Sequence, residues 1–440
     1  MKYPIIFFLV IFRTLGGILR FCSIFYWLDN KVNPFSEFEP AWDIPTRVFF
    51  KLDMLKQNIT GRRWKFGRNR WVEGIQKSYQ NIDLPKGEIR PISVFDWKKD
   101  DISLFTDKLY LEQKPILFKN FLPNDEDYCE WDFDKFLNDF GNEDTVLTCP
   151  VFDGFRGKLK EIDVPGVYVQ NTEDLLNRNP TLYKQMGLGG LVNSIAGNFL
   201  FSGITQLFAG KKSTGTWWHC AGGMNFFLML NGSKKWTFID PAYSPFVFPI
   251  TEGKGKTMYY LSSVVDRSEV YKSSKSKLGA VDTANMDEYE QSEVTDLMRT
   301  MFDSCPKYEV ILEPGDVLYN PAWWWHEVQN ITEQSIGVAT RWFDIKTPPL
   351  SNTVFDLGTR FNIPFFYGLM KKTFSQKIIT KDKQIDISHF QDIPIEFFED
   401  NTRVADFNSY KIMEEKVSEY YQRFGFDKAT MSSRTKQNMS

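Results

Sequence analysis

A mainly β core with helical flanks is the fold this sequence predicts, and three observations predict it. From about Thr205 to Phe343 the chain reads as short strands separated by Gly, Pro and Asn-Gly turns, the pattern of an antiparallel barrel. Residues 3–28 are apolar and helix-like, and residues 344–440 read as mainly helical. Aromatic residues make up 16% of the chain, with 40 Phe and 13 Trp, so the core is bulky and any pocket in it is aromatic-walled.

Composition narrows the function classes. A chain of 440 residues holds one large domain with extensions, or two domains. The balance of 42% hydrophobic and 25% charged residues is that of a globular protein. A net charge of −3 leaves no basic excess to bind nucleic acid. Cysteines at 22, 129, 149, 220 and 305 are odd in number and scattered, which argues against a disulfide framework and against a Cys-rich zinc site. Of the three histidines, His219 and His326 stand in the two most motif-like stretches. His389 lies outside both and reads as structural.

Residues 1–30 are expected to form an apolar N-terminal helix that anchors the protein to an endomembrane, or a signal segment. Arg13 and Arg20 interrupt the run, and each would cost about 2.5–3.5 kcal/mol at the centre of a spanning helix. They are seven residues apart and share one helix face, which suits an anchor or an interfacial helix. Residues 31–90 read as a connecting region with short helices. From residue 91 to 343 the chain is expected to form one β domain. Strands at Ile92–Phe95 and Pro115–Phe118 bracket a helix, and further helices fall at Asp132–Phe140 and Thr172–Gln185. Residues 251–307 are polar and read as an insertion leaving the barrel. Residues 344–440 form the helical C-terminal region.

Two stretches carry chemistry. In the first, Ser213–Pro241, Asn231-Gly232 between apolar runs signals a hairpin. In the strand that follows, Lys234 shares a face with Trp236 and Phe238, while Lys235 shares the other with Thr237. If the aromatic face is the inner one, Lys234 is buried and needs an anionic partner; if not, both lysines are solvated. In the second stretch, Leu312–Phe343, a Pro314-Gly315-Asp316 turn and an Asn320-Pro321 turn lead into strands, and His326 follows three Trp. Two turn-strand units with one His each are what a double-stranded β-helix requires. Sequons at Asn231 and Asn330 fall inside these strands and are taken as chance matches.

These blocks resemble the JmjC-like branch of the cupin superfamily, the Fe(II)/2-oxoglutarate-dependent oxygenases, over roughly Ile92 to Phe343. Thr216, His219, Asn225, Gly232, Lys234 and Trp236 fall in register with the family's first block, and His326 with its second. The resemblance implies a jelly-roll (cupin) double-stranded β-helix that uses Fe(II), 2-oxoglutarate and O2. It implies that His219 and His326 bind the metal. Lys234 would pair with the far carboxylate of 2-oxoglutarate, and Thr216 and Asn225 would hydrogen-bond it. Imidazole suits Fe(II), and an inward Lys suits a dicarboxylate.

The departure from the family is Ala221, where the third ligand, Asp or Glu, is expected. Three readings follow. The first is radical C–H halogenation, because non-haem iron halogenases carry Ala or Gly there and chloride supplies the missing ligand and charge. Ala221 and Gly222 would then make the halide pocket, with Gly223 adding room. The second is an inactive JmjC-like binding protein. The third is a hydroxylase or dioxygenase acting on a protein or small molecule and recruiting another ligand; Glu327 and Cys220 are adjacent to the histidines, but strand alternation points both away. Halogenation is preferred, because six family positions are kept and the lost one holds the residue that halogenases use. Trp217, Trp218, Trp323, Trp324 and Trp325 flank the two histidines, and half should face inward. With the apolar N-terminus they suggest a hydrophobic small-molecule or lipid substrate, membrane contact through the N-terminus and no nucleic acid.

Overall fold

The structure, a computed structural model, describes residues 43–342 other than 61–63, 80–86, 101–112, 122–130, 150–151, 164–166, 213, 252–259, 266–294 and most of 173–201. The apolar segment 1–30, the helical region 344–440 with His389, and most of the Thr172–Gln185 helix lie outside the described residues. Among the described residues no helix is long and apolar enough to cross a membrane.

The helices are α1 (Ile44–Thr60), α2 (Lys65–Tyr79), α3 (Phe133–Phe140), α4 (Ser244–Val247) and α5 (Asp296–Asp303). The strands are β1 (Ile89–Pro91), β2 (Ser93–Asp96), β3 (Ile116–Lys119), β4 (Asp144–Cys149), β5 (Phe152–Lys158), β6 (Tyr168–Thr172), β7 (Ser202–Lys211) and β8 (Gly215–Ala221). They continue with β9 (Met224–Asn231), β10 (Lys234–Ile239), β11 (Pro249–Thr251), β12 (Tyr260–Ser263), β13 (Lys307–Leu312), β14 (Val317–Asn320), β15 (Trp325–Asn330) and β16 (Gln334–Trp342).

Two sheets face each other. One has the order β1-β13-β10-β15-β8-β12-β11, the other β2-β3-β14-β9-β16-β7-β6-β4-β5. From β7 to β10, and again from β13 to β16, successive strands alternate between the sheets. This is the winding of a double-stranded β-helix, and it explains why each motif block contributes to both walls. It also corrects one expectation. Asn231-Gly232 is not the tip of a paired hairpin, because β9 and β10 lie in different sheets. The turn carries the chain across the barrel. Gly232 has φ +68, and a Cβ there would lie 1.9 Å from the Gln334 carbonyl oxygen, so only glycine fits.

Three apolar layers follow from strand alternation. Between the sheets lie Phe208, Phe227, Met229, Trp236, Phe238, Leu318 and Trp324, among others. Outside the second sheet, Phe226, Leu228 and Val338 pack with Phe133 and Phe136 of α3, whose N-cap Asp132 accepts from the Lys135 N–H. Outside the first sheet, α1, α2 and α5 cover Trp218, Trp325, Phe248 and Ile250. The two helices described within the region 31–90 are therefore part of the fold. They are clamped by Asp53, a buried carboxylate that accepts from Gln57 Nε2 (3.0 Å) and Trp71 Nε1 (2.9 Å). Trp71 stacks on Phe248, with ring centroids 6.0 Å apart.

The stretch 251–307 is likewise not wholly an excursion. It supplies β12, paired with β8 so that Ser262 lies beside His219, and α5, whose Met298, Met301 and Phe302 enter the outer core. Apolar residues at i, i+3 and i+4 within this polar stretch are the signal that composition alone obscured.

Candidate metal and dicarboxylate site

His219 on β8 and His326 on β15 are direct cross-strand partners, with ring centroids 4.2 Å apart. A bulge in β8 makes this possible. Thr216 pairs with Val328 and His219 with His326, so β8 has one residue more than β15 over the same span. Without it, residues 216 and 219 would point to opposite faces. The bulge turns both inward and leaves Trp217 55% exposed.

Each imidazole is oriented by the carbonyl two residues earlier. His219 Nδ1 lies 2.6 Å from the Trp217 carbonyl oxygen, and His326 Nδ1 lies 2.9 Å from that of Trp324. A carbonyl only accepts, so each Nδ1 carries the proton and each Nε2 presents a bare lone pair. Burial lowers both pKa values, His219 to about 4, and the positive charge of Arg341 acts in the same direction on both. The rings are therefore neutral at pH 7, as metal ligands must be. Trp236 stacks on His326 at 5.4 Å and 19°. The Asn320 amide nitrogen is 3.4 and 3.3 Å from the two nitrogens of His326. Near-equal distances place it over the ring face, so it leaves the Nε2 lone pair in the ring plane available.

The aromatic face of β10 is the inner one. Lys234 is fully buried with Trp236 and Phe238, while Lys235 on the opposite face pairs with Glu309 at 2.8 Å. The Lys234 ammonium donates to Asn330 Oδ1, to Ser335 Oγ at 3.3 Å and to Tyr168 Oη at 3.4 Å, and lies over the Tyr168 ring. All three acceptors are neutral. Burial pushes the Lys234 pKa down to about 7, the mark of a buried cation short of an anion. The Asn330 amide is fixed by donation to Thr214 Oγ1 at 2.7 Å, which is incompatible with a glycan there.

Other polar groups face the same interior. Thr216 Oγ1, Asn225 Oδ1 and Asn320 Oδ1 are buried without a hydrogen-bond partner among the described residues. Such groups are rare in a finished core and are the natural contacts of a polar ligand. Thr216, His219, Asn225, Lys234 and His326 thus converge, as the sequence resemblance implied. Tyr168, Asn320, Asn330, Ser335 and Arg341 join them without having been predicted as site residues. Their only sequence signal is a polar side chain on an inward position of an otherwise apolar strand.

The ligand set stops at two. No third His, Cys, Asp or Glu joins the pair among the described residues. Ala221 is buried on the inward face of β8. Cys220 lies in the outer core and Glu327 pairs with Thr237 on the outer face, so neither reaches the pair. A Cβ on Gly222 would lie 2.8 Å from the Trp323 ring, so this glycine accommodates the indole. The room expected beside Ala221 is taken there by Trp323. Gly222→Ala is expected to destabilise the protein by about 1–3 kcal/mol in chemical denaturation, because a fully buried indole must shift. The tryptophans divide unevenly. Trp218, Trp323 and Trp325 pack outside the first sheet, and only Trp324 of the five enters the barrel interior.

Paired inward histidines, strands alternating between two sheets and a buried lysine further along the histidines' own sheet are the features that the comparisons bear on. Residues 153–347 match the cupin-like domain family. A second match is to HSPB1-associated protein 1 of Homo sapiens, 26% identical over 130 residues, or 29% of this chain. That alignment spans about a fifth (21%) of the human protein's length. The cupin-like domain covers β5 to β16, and therefore every residue of the site described above.

For such a domain the expected group is Fe(II) with 2-oxoglutarate, and the residues fit it in part. Two neutral imidazoles with free Nε2 suit a divalent iron. The uncompensated Lys234 and the Thr216 hydroxyl suit an anionic, oxygen-rich co-substrate, whereas the two asparagine oxygens are acceptors and call for a hydrogen-bond donor. The carboxylate ligand of the usual triad has no counterpart among the described residues.

Proposed function

We propose that the barrel is the active centre of an Fe(II)/2-oxoglutarate-dependent enzyme in which an exogenous anion takes the position left by Ala221. Radical C–H halogenation of an apolar substrate is the activity this arrangement supports best. The observation that carries the metal half is the histidine pair, with both Nδ1 protons held on backbone carbonyls and both Nε2 atoms kept for a metal, and the halide half rests on Ala221 in the third ligand's position. A decayed site has no reason to keep two tautomers fixed in this way.

Each residue then has a defined task. His219 and His326 hold the iron, which when bound supplies O2-dependent decarboxylation of the co-substrate and C–H activation. Lys234, with Tyr168 and Ser335, holds the distal carboxylate. Thr216 and Asn225 bond the co-substrate's remaining oxygens. Trp236 fixes the plane of His326, and Trp324 and Phe238 keep water from the interior. The apolar N-terminal segment supports a membrane-derived or lipid substrate.

A second reading, a binding module without redox chemistry, is favoured by one observation. The charge of Arg341 acts on both histidines, and a nearby cation opposes metal binding. Anaerobic addition of Fe(II) and 2-oxoglutarate separates the two. The first reading predicts a charge-transfer band that shifts as chloride is titrated. A band indifferent to chloride points to a protein-derived third ligand and removes halogenation. No band from folded protein establishes the second reading.

A further inference from the structure

The helices α1 and α2 pack one face toward the barrel and turn another outward. On α1, Phe50 and Met54 enter the outer core, and Asp53 and Gln57 join the clamp on Trp71. By the helical repeat, Phe49, Leu52 and Lys56 lie on the flank turned away from these residues. Phe49 meets Trp64 and Phe66, with ring centroids 5.9 and 5.8 Å apart, and Trp64 meets Phe66 at 6.1 Å. A Cβ on Gly67 would overlap the Trp64 indole, so glycine there lets the ring lie on the first turn of α2. The cluster is not closed over, since Phe66 is 55% and Leu52 38% exposed.

Cations surround it. Lys56 Nζ lies over the Trp64 ring at 5.9 Å, and the Arg70 guanidinium over the Phe66 ring at 5.3 Å. Lys65, at the start of α2, is exposed. From Ile44 to Arg70 the sequence carries eight Lys or Arg and one acid, Asp53, which is buried. The whole chain is net −3, so this excess is local. Exposed aromatic and apolar side chains rimmed by Lys and Arg are the composition of a helix that lies in the interface of an anionic bilayer. The rings enter the headgroup boundary, and the long basic side chains reach back to the lipid phosphates. The apolar run 3–28 stands close by in sequence. Leu28 and Ile44 are 16 residues apart, a tether of at most about 55 Å. A chain held in a bilayer by that run keeps the two helices at the bilayer surface, which favours lipid over nucleic acid as the partner.

We propose that α1 and α2 dock on an anionic lipid surface, with Leu52, Trp64 and Phe66 entering the headgroup boundary and Lys56, Lys65 and Arg70 on the lipid phosphates. This contact is independent of the iron site and adds a second one to that expected of residues 1–30. The two helices cover the outside of the first sheet, so docking sets that side of the barrel against the membrane.

The test is hydroxyl-radical footprinting of the full chain on vesicles, read residue by residue by mass spectrometry. Phosphatidylcholine vesicles are compared with vesicles in which about a third of the lipid is phosphatidylserine. Labelling of Phe66 and Trp64 is expected to fall at least about threefold on the anionic vesicles relative to the neutral ones. Val94, 57% exposed on the edge strand of the second sheet, should be unchanged. The double variant Lys65→Glu, Arg70→Glu alters two exposed positions and should lose the protection, and salt at about 0.5 M should remove it from the wild type. Equal labelling of Phe66 on the two kinds of vesicle overturns the proposal, whatever the variant does. Protection by a single-stranded RNA and not by vesicles assigns the patch to nucleic acid and overturns it as well. The reading is local to α1 and α2, so its failure is distinct from a failure of residues 1–30 or of the iron site.

Discussion

Lys234→Met is expected to abolish 2-oxoglutarate binding, with a loss of at least about a hundredfold in affinity, within the range for removing one partner of a buried charge pair. The same substitution should change the pH dependence of stability in the ligand-free protein. Burial holds Lys234 at about 7 in the folded chain, against 10.5 for an ordinary lysine. Between those values the unfolded chain carries the extra proton, so wild-type stability rises with pH from about 7 to 10.5. The rise is on the order of several kcal/mol. Denaturant midpoints at pH 7 and pH 10 should therefore diverge in the wild type and converge in Lys234→Met. Binding of a dicarboxylate restores the proton to Lys234, so affinity should fall as pH rises above about 7. A variant that binds 2-oxoglutarate normally would remove Lys234 from the site.

Ala221→Asp is the second large effect. The position is buried and faces the histidine pair's side of β8. In the metal-free protein a carboxylate there is desolvated, so the variant should be less stable than wild type by about 1–3 kcal/mol. With Fe(II) it completes a 2-His-1-carboxylate set, so iron should bind at least tenfold more tightly and the chloride response should vanish. On the proposed reading, hydroxylation in place of halogenation is the expected change in product. Unaltered iron affinity together with an unaltered chloride response would show that Ala221 does not mark the open position.

Much of the site was legible in the sequence because its residues are tied to short, periodic segments. Alternation shows that Lys234, Trp236 and Phe238 share a face but leaves open which side it takes, and the resemblance to the family supplied both that side and the pairing of the two histidines. What was not legible depends on register between distant strands. The β8 bulge, which brings Thr216 and His219 to one face, has no local signature, because an extra residue is defined only against its partner β15. The turn at Gly232 reads locally as a hairpin, and only the alternation of strands between sheets shows that it bridges them. Arg341 lies two residues beyond inward Ala339, so alternation places it inside. Its closeness to His219 and His326, more than a dozen residues away along the chain, comes from the facing of the two sheets. The polar stretch 251–307 misled for a different reason: its short apolar pieces, around Leu261 and Met298 to Phe302, are outnumbered by the charged residues between them.

The claim at the centre of this account is that His219 and His326 together bind a divalent metal. Cobalt(II), a spectroscopic stand-in for iron that is stable in air, can be titrated into the full chain while its d–d absorption is followed. The account predicts one equivalent bound in the wild type and loss of that signal in both His219→Ala and His326→Ala, with His389→Ala unchanged. Retention of the signal in either variant at the two inward histidines would contradict it.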